Sequence, residues 1–400
     1  MQLVLLFLII TSFLAAADFF VSPATAWIPL ESWLAVMIFS LIAPIAQLAL
    51  TLKATATGPP PITERTKKRI HWASEWVIPA IWILASFTIC LSSRWGTLTR
   101  NVVGESGFFR FAFFLVPILL PLWLIWWLRA FSLSGSPRQS FREAGCRFKV
   151  YVLTIVVPIL ILIACKDVGD HFSGQAFLYI NVFLVPICFT LILVGMPRII
   201  SWILPTKSIR QTDLGETLLQ LSRQAKTPIS DIRIWSTNHR MVNAIVVGLI
   251  PAGRTVLLTD RLVQEFDLAE IKGIFLHEVG HAKRNHLSQR LAAAALPFFF
   301  TYALFDLATG SVYPALIFSI LISLATLALV ARYLEYDADR FAVEQMLKCG
   351  EPVERYLSAL QRMRLDNPHA DKPTWLHPRI SDRIRKIHTL SLPRQKRPTT

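Results

Sequence analysis

Charged residues are scarce in this sequence. Asp, Glu, Lys and Arg make up 17% of its 400 residues, whereas about a quarter is usual for a soluble globular protein. The deficit is concentrated in six runs before residue 200 that contain no charged residue: 1–17, 32–52, 76–93, 111–128, 150–165 and 171–197. Since a transmembrane helix needs about 20 apolar residues, these runs exclude an ordinary soluble fold and predict an N-terminal membrane domain of about six spans over 1–204.

The first of these runs also lacks Lys and Arg at its start, and this bears on whether it is a cleaved signal peptide. A signal peptide usually opens with a positively charged segment. The small residues in "FLAAADFF" would still offer a cleavage site. We therefore expect a retained first span, with a removed signal as the alternative.

Cysteine is also infrequent, and its spacing excludes one kind of metal site. The five cysteines include no CxxC pair, which is the spacing typical of cysteine zinc sites. We expect them to be small apolar packing residues.

The basic residues are distributed unevenly among the connections between spans. A net charge of +15 would suggest nucleic acid binding in a soluble protein. Here Lys and Arg concentrate in loops 53–71 and 129–149, whereas 18–31 has none, and cytoplasmic loops are the ones that collect these residues. We therefore predict no nucleic-acid partner, a multi-pass protein of the bacterial inner membrane, and a cytoplasmic location from about residue 198 onwards.

A more polar stretch, 205–290, predicts the first part of an α+β domain. "DLGETLLQLSRQAKTP" (213–228) favours an amphipathic helix, and "DIRIWS" (231–236) favours a strand. "NAIVVGLIPAGRTVLLT" (243–259) predicts a β-hairpin around Pro-Ala-Gly. The next 25 residues, "DLAEIKGIFLHEVGHAKRNHLSQRL" (267–291), open with a capping-box pattern and predict one long helix.

Residues 291–331 contain a single charge, Asp306, and a central break at 308–314. We predict two short spans here, bringing the total to about eight, with a re-entrant hairpin as the alternative. Either arrangement returns the chain to the side it left. "ARYLEYDADRFAVEQML" (331–347) then predicts an amphipathic helix in the second part of the α+β domain, 332–400, which ends in a basic tail.

The segment "FLHEVGHAKRNH" (275–286) contains the pattern HExxH. On a helix, His277 and His281 lie four residues apart on one face and can direct two imidazoles at one ion. Glu278 is adjacent, where a carboxylate can accept a proton from water activated by zinc. The pattern predicts a metallopeptidase site.

A catalytic zinc needs a third protein ligand and an open position. His286 is a poor candidate, because five residues after His281 it would lie on another side of a continuous helix. The metzincin spacing would also require Gly and His where the chain has Arg284 and Leu287. We expect His286 to be a surface residue near the helix end.

"EYDAD" (335–339) offers a better third ligand. Glu335 and Asp339 are again four residues apart, so Glu335 could complete a His₂Glu site. Asp339, one turn on, could accept a hydrogen bond from the second nitrogen of a ligating histidine. The alternative is that both acids are solvated and face Arg332 and Arg340. Topology favours the ligand interpretation, since an even number of crossings separates the two motifs.

The two motifs in this order resemble the family of membrane zinc metallopeptidases that includes the bacterial heat-shock protease HtpX and the eukaryotic CaaX prenyl endoprotease. "NAIVVG", "TVLLTDRLV" and "LHPRISDRI" (376–384) extend the resemblance over about 205–390. It implies a zincin-like domain of the HExxH gluzincin type with one zinc per chain. The implied roles are metal ligands His277, His281 and Glu335, base Glu278 and supporting residue Asp339.

The resemblance also implies roles that the residues alone do not suggest. The strand near Asn243 and Ala244 would pair with an extended substrate, and His377 and Arg383 would approach the substrate or its oxyanion.

We therefore predict a zinc-dependent membrane endopeptidase that hydrolyses extended or unfolded protein segments at the bilayer. One alternative is a membrane zincin-type sensor-transducer, although short outer loops leave little room for a sensor. Another is a CaaX-type processing protease. A transporter or scaffold with a coincidental motif is disfavoured, because buried charges, which would favour transport, are missing from the six apolar runs.

Overall fold

The structure is a computed structural model that describes residues 30–56, 106–134, 136–157, 185–237, 241–309, 312–366 and 376–391, with isolated positions between these ranges. Its contacts divide the chain into two compact units on either side of Leu191. Two predicted spans lie outside the described residues. They are the first span, 1–17, with its signal-peptide alternative, and nearly all of 76–93.

In the first unit the described residues form helices that are long and apolar, except for the shorter helix at 137–151, which contains five charged residues. They are α1 (Leu30–Ala56), α2 (Gly107–Ser134), α3 (Pro137–Tyr151) with a π-helical continuation (Val152–Val156), and α4 (Val185–Ile203), which leads into the second unit. The helix α2 packs against α1 and α3. The predicted spans 32–52 and 111–128 are thus both helical.

The described residues contain one helical segment, Phe318–Lys348, that is long and apolar enough to cross a membrane. Shorter apolar segments lie at Leu41–Lys53 and Leu119–Phe131. The total of about eight spans stays a prediction.

The second unit contains a four-stranded sheet: β1 (Thr206–Ser208), β2 (Asp231–Trp235), β3 (Ala244–Val247) and β4 (Thr255–Thr259). The strand order is β1-β2-β4-β3, with β2 and β4 parallel and the other neighbours antiparallel. The strands β3 and β4 are joined through a 3₁₀ turn at Pro251–Gly253, so the predicted hairpin is confirmed. Strand β3 is an edge strand of this sheet.

Helices surround this sheet and build the core. They are α5 (Asp213–Gln224), α6 (Asp260–Glu265), α7 (Leu268–Lys283), α8 (His286–Thr309), α9 (Val312–Lys348), α10 (Val353–Asp366) and α11 (Ile380–Ser391). The central helix α7 contacts α5, β3, α8, α9 and α10. Its buried face includes Phe275, Leu276 and Val279, each fully excluded from solvent. Burying such side chains contributes about 1.5–3 kcal/mol each, which fixes the helix that carries HExxH.

The predicted capping box of α7 is present. Asp267 accepts a hydrogen bond from the Glu270 backbone N–H, and the Glu270 side chain accepts one from the Asp267 N–H. Glu270 is also buried, and it accepts hydrogen bonds from Ser358 and Arg362 of α10. The cap therefore positions α7 against α10 as well as starting it.

The predicted single helix over 267–291 is wrong, because α7 ends at Lys283 and α8 begins at His286. Asn285 between them has φ 54°, a left-handed conformation that Asn tolerates better than most residues. Its side-chain oxygen accepts a hydrogen bond from the buried Arg254 guanidinium at 2.9 Å. The chain therefore turns within two residues, which changes the direction of His286.

A second correction concerns the helix after the apolar segment, where two predicted elements form one. The span and the amphipathic helix predicted separately around residue 331 form one continuous helix, α9, of 37 residues. The helices α8 and α9 pack against each other. The end of α8 at Thr309 and the start of α9 at Val312 both lie within the break predicted at 308–314. "EYDAD" thus lies on the same helix as the candidate span.

Replacing Gly273 of α7 with Ala should destabilise the second unit. A Cβ there would lie 2.7 Å from the Cβ of Tyr356, an atom that cannot move without its helix. Overpacking costs about 1–3 kcal/mol, which exceeds the gain of about 0.5–1 kcal/mol for Ala over Gly within a helix. Thermal unfolding of the full chain measures the difference. The control Gly253→Ala, whose Cβ would meet nothing within 4 Å, should unfold like the unmodified protein; an unchanged Gly273→Ala melting temperature would contradict the prediction.

Candidate metal centre

The helices α7 and α9 bring the predicted donor groups to one point. The Nε2 atoms of His277 and His281 are 3.2 Å apart. The carboxylate of Glu335 lies with Oε2 3.7 Å from His277 Nε2 and Oε1 3.5 Å from His281 Nε2. His277 and Glu335 are buried, and His281 is nearly so. Three donors from two helices thus surround a small common volume.

These separations allow a test of whether zinc fits the site. For tetrahedral zinc with bonds of about 2.1 Å, neighbouring ligand atoms are about 3.4 Å apart. The separation of the two Nε2 atoms, 3.2 Å, lies close to that value, and so do the contacts of the two different Glu335 oxygens, Oε1 at 3.5 Å from His281 and Oε2 at 3.7 Å from His277. Two imidazoles and one carboxylate are also a donor set that catalytic zinc uses. The residues present therefore fit a zinc ion.

Asp339 holds His277 from the other side. Its Oδ1 lies 2.9 Å from His277 Nδ1, so Nε2 is left facing the donor cluster. Arg383 donates two hydrogen bonds to the same carboxylate, at 2.7 and 2.9 Å, and Tyr356 donates one at 2.6 Å. Burial raises the pKa of the Tyr356 hydroxyl well above its usual value, and the adjacent Asp339 adds to this effect. Tyr356 therefore stays a donor, and Asp339 is fully satisfied.

Glu278 lies beside the donor cluster and points toward the sheet. Its Oε2 accepts a hydrogen bond from the backbone N–H of Val246 on β3 at 2.9 Å. Burial raises the pKa of Glu278, and this N–H partly opposes the shift. Because a raised pKa strengthens a carboxylate as a proton acceptor near neutral pH, the environment of Glu278 suits a general base.

Two carboxylates therefore compete for the position of third ligand. One donor atom from each of His277, Glu278 and His281 lies within 4.8 Å of the others. The Glu335 oxygens lie 3.7 Å from His277 Nε2 and 3.5 Å from His281 Nε2. Both carboxylates already accept a hydrogen bond, Glu278 from Val246 and Glu335 from Arg290, so Glu335 as third ligand stays a prediction.

The two oxygens of Glu335 also receive cationic or donor groups. Arg290 of α8 donates a hydrogen bond to Oε1 at 2.7 Å. His377 Nδ1 lies 3.3 Å from Oε2, with its side chain 47% exposed, and Arg383 Nη1 lies 3.9 Å away. The structure thus places His377 and Arg383 beside Glu335. His377 is open to solvent, whereas Arg383 is engaged with Asp339; their contact with substrate stays a prediction.

His286 is not the surface residue that the spacing suggested. Its side chain is 1% exposed, and its Nδ1 lies 2.8 Å from His281 Nδ1. The expectation assumed a continuous helix, and the turn at Asn285 removes that assumption. His286 also contacts Asp337, the middle acid of "EYDAD", at 3.1 Å. Neither contact could be read from helical spacing.

The structure places Asn243 and Ala244 at the start of the edge strand. The Asn243 carbonyl accepts a hydrogen bond from Thr259 N, which ties it to β4. Asn243 is exposed and Ala244 is buried. One side of β3 is paired with β4, and its other side faces no strand among the described residues.

Residues 208–391 match the sequence profile of peptidase family M48. We call this matched segment the M48 domain. The M48 domain contains all nine residues predicted for the site. Its bounds agree with those of the resemblance inferred over about 205–390.

Two individual proteins are also similar to this chain. The chain is 24% identical over 278 residues to CAAX prenyl protease 1 of Saccharomyces cerevisiae. The matched region covers 58% of this chain and 60% of that relative. It therefore spans less than two thirds of the relative's length. The crystal structure of S. mikatae Ste24p is similar in fold, with a TM-score of 0.55 and 18% identity over 91% of this chain and 100% of that chain. The likeness of fold extends beyond the M48 domain.

Sequence reasoning missed three residues that build this centre. Tyr356 and Arg290 contact Asp339 and Glu335, but each lies on a helix where an amphipathic pattern gives no sign of a site. Asp337 was visible as an acid within "EYDAD", although its position two residues from Glu335 suggested a different face of the helix.

Proposed function

We propose that this protein is a zinc endopeptidase acting on extended polypeptide segments. The observation that supports it most is the placement of His277, His281 and Glu335 at tetrahedral edge lengths, with Glu278 beside them on the side of an edge strand. When bound, zinc would activate water and polarise the carbonyl of the scissile bond.

The chain's own residues supply the proton transfer and its geometry. Glu278 accepts a proton from the attacking water and later delivers it to the leaving amine. The Val246 N–H orients its carboxylate, so the base is held at the edge strand itself. The exposed His377 is positioned to donate a hydrogen bond to the developing oxyanion.

The substrate is proposed to add to β3 as one more strand. A strand edge that faces no other strand binds an extended peptide through main-chain hydrogen bonds. The peptide would compete with Asn243 Oδ1 and Glu278 Oε2 for the Ala244 and Val246 N–H groups. These bonds depend on conformation more than on side chains, so cleavage should be loosely selective and favour unfolded segments. Asn243 and Ala244 would contact the substrate at one end of this edge.

We place the protein in a membrane, with loops 53–71 and 129–149 and the M48 domain on the cytoplasmic side. The apolar half of α9 and the surface of α8 support the membrane location, and the Lys and Arg residues of 53–71 and 129–149 support the orientation. Large apolar side chains on α8, including Leu296, Phe299, Phe300 and Leu307, are between 65% and 88% exposed, and a lipid environment would cover them. The substrates would then be membrane proteins or segments near the bilayer.

A second candidate is CaaX-type processing, in which a prenylated peptide is the substrate. The specific observation in its favour is the similarity to CAAX prenyl protease 1. We rank it second, because main-chain recognition at β3 needs no prenyl group.

The test compares a prenylated peptide with its unmodified twin, using purified full-length protein. We expect similar cleavage of both, loss of cleavage after chelation and its return when zinc is added. Cleavage of the prenylated peptide alone would replace the first candidate by the second. Cleavage of neither peptide, and of no unfolded protein, by zinc-loaded enzyme would overturn both.

A further inference from the structure

His286 lies outside the predicted donor set and is still one of the most deeply buried polar residues of the M48 domain. Its two ring nitrogens face different partners: Nδ1 is 2.8 Å from His281 Nδ1, and Nε2 is 3.1 Å from Asp337 Oδ2. Two ring nitrogens at 2.8 Å share one proton, since one must donate and the other accept.

The direction of each hydrogen bond follows from the proposed zinc site. A ligating His281 needs a free lone pair on Nε2, so its proton is on Nδ1. His286 Nδ1 must then accept, and its own proton is on Nε2, where the Asp337 carboxylate accepts it. The three residues form a one-way chain of donors from His281 through His286 to Asp337.

We propose that His286 is a positioning residue that fixes the ring orientation and tautomer of His281, with Asp337 anchoring it; this rests on the proposed zinc site. Both histidine ligands are then held by carboxylates of α9. Asp339 holds His277 directly, and Asp337 holds His281 through one intervening imidazole. Partners of this kind typically change metal affinity 10–100-fold.

The turn at Asn285 is what makes this contact possible. In a continuous α7, residue 286 would lie on a different face from His281. With φ 54° at Asn285, His286 becomes the first residue of α8 and its ring returns to His281. Because its side chain is 1% exposed, water cannot replace the imidazole as acceptor.

A matched pair of variants separates positioning from packing. His286→Phe keeps the ring and its burial but loses the acceptor, whereas His286→Asn keeps an acceptor oxygen close to the former Nδ1. We expect His286→Phe to weaken zinc binding about 10–100-fold and His286→Asn to recover most of that loss. Asp337→Ala should weaken binding in the same direction by a smaller factor.

The measurements are zinc affinity by competition with a chelator and the visible spectrum after cobalt substitution, both on the full chain. The control is Arg284→Gln, which removes a half-exposed cation 3.8 Å from Asp337 and should change neither. If His286→Phe fails to fold, Asp337→Ala carries the test.

The positioning role would be overturned if His286→Phe kept the zinc affinity and the cobalt spectrum of the wild-type protein. If that variant does not fold, the same result in Asp337→Ala would overturn it. Neither outcome depends on what the protein cleaves. Conversely, a wild-type protein that binds zinc but cleaves nothing would overturn the proposed peptidase function and leave the positioning role intact. The two failures are therefore distinguishable.

Discussion

Replacing Glu278 with Gln should abolish cleavage of an unfolded protein while leaving zinc bound. Gln preserves the size of the side chain and can still accept the Val246 hydrogen bond through its carbonyl oxygen, but it cannot accept a proton. Loss of general base catalysis typically costs about 10²–10⁴-fold in rate. The measurement is the initial cleavage rate at saturating zinc, together with the zinc content of the same preparation.

The control for this variant is Glu265→Gln, which removes a surface carboxylate paired with Arg261. It should retain both activity and zinc. A Glu278→Gln rate within tenfold of the unmodified protein would remove Glu278 as the base. Loss of zinc from Glu278→Gln would instead make it a ligand, and the assignment of the two carboxylates would be exchanged.

Replacing Glu335 with Gln should have the complementary effect, with zinc lost first and cleavage lost as a consequence. A neutral amide is a weak zinc ligand, and two histidines alone make a weak site. Since residues that merely support ligands change affinity by 10–100-fold, loss of a ligand should exceed about 100-fold. Chelator competition measures this directly.

The same helix provides a control in Glu344→Gln, which disturbs only a surface pair with Arg340. Zinc affinity should be unchanged there. Full zinc occupancy of Glu335→Gln under chelator would exclude Glu335 as the third ligand. Because Glu335 also receives Arg290, thermal unfolding of the metal-free variant should be recorded alongside, so that misfolding is not mistaken for ligand loss.

The features that sequence reasoning predicted correctly depend on local periodicity. His277 and His281 share a face because they are four residues apart on a helix, and the same spacing places Glu335 and Asp339 together. The hairpin before α7 follows from two β-rich runs around Pro-Ala-Gly. Each of these inferences needs only the geometry of one element.

What the sequence did not indicate depends on contacts between distant segments. The parallel pairing of β2 with β4 joins two strands that are not neighbours along the chain, because β3 lies between them in sequence. The turn before His286 contains neither Gly nor Pro, and Arg254 of a separate segment stabilises it. Tyr356 reaches Asp339 only because α10 packs against α7. Spacing along the chain contains no information on these contacts.

The continuity of α9 has a consequence for biosynthesis. A ribosome makes the N-terminal part first, so the two histidines of α7 emerge well before the carboxylate at position 335. The apolar hairpin formed by α8 and the first half of α9 lies between them. An unfinished chain therefore lacks one of the three proposed ligands until this hairpin has been synthesised, so we expect the nascent chain to be inactive while its own unfolded segments are within reach.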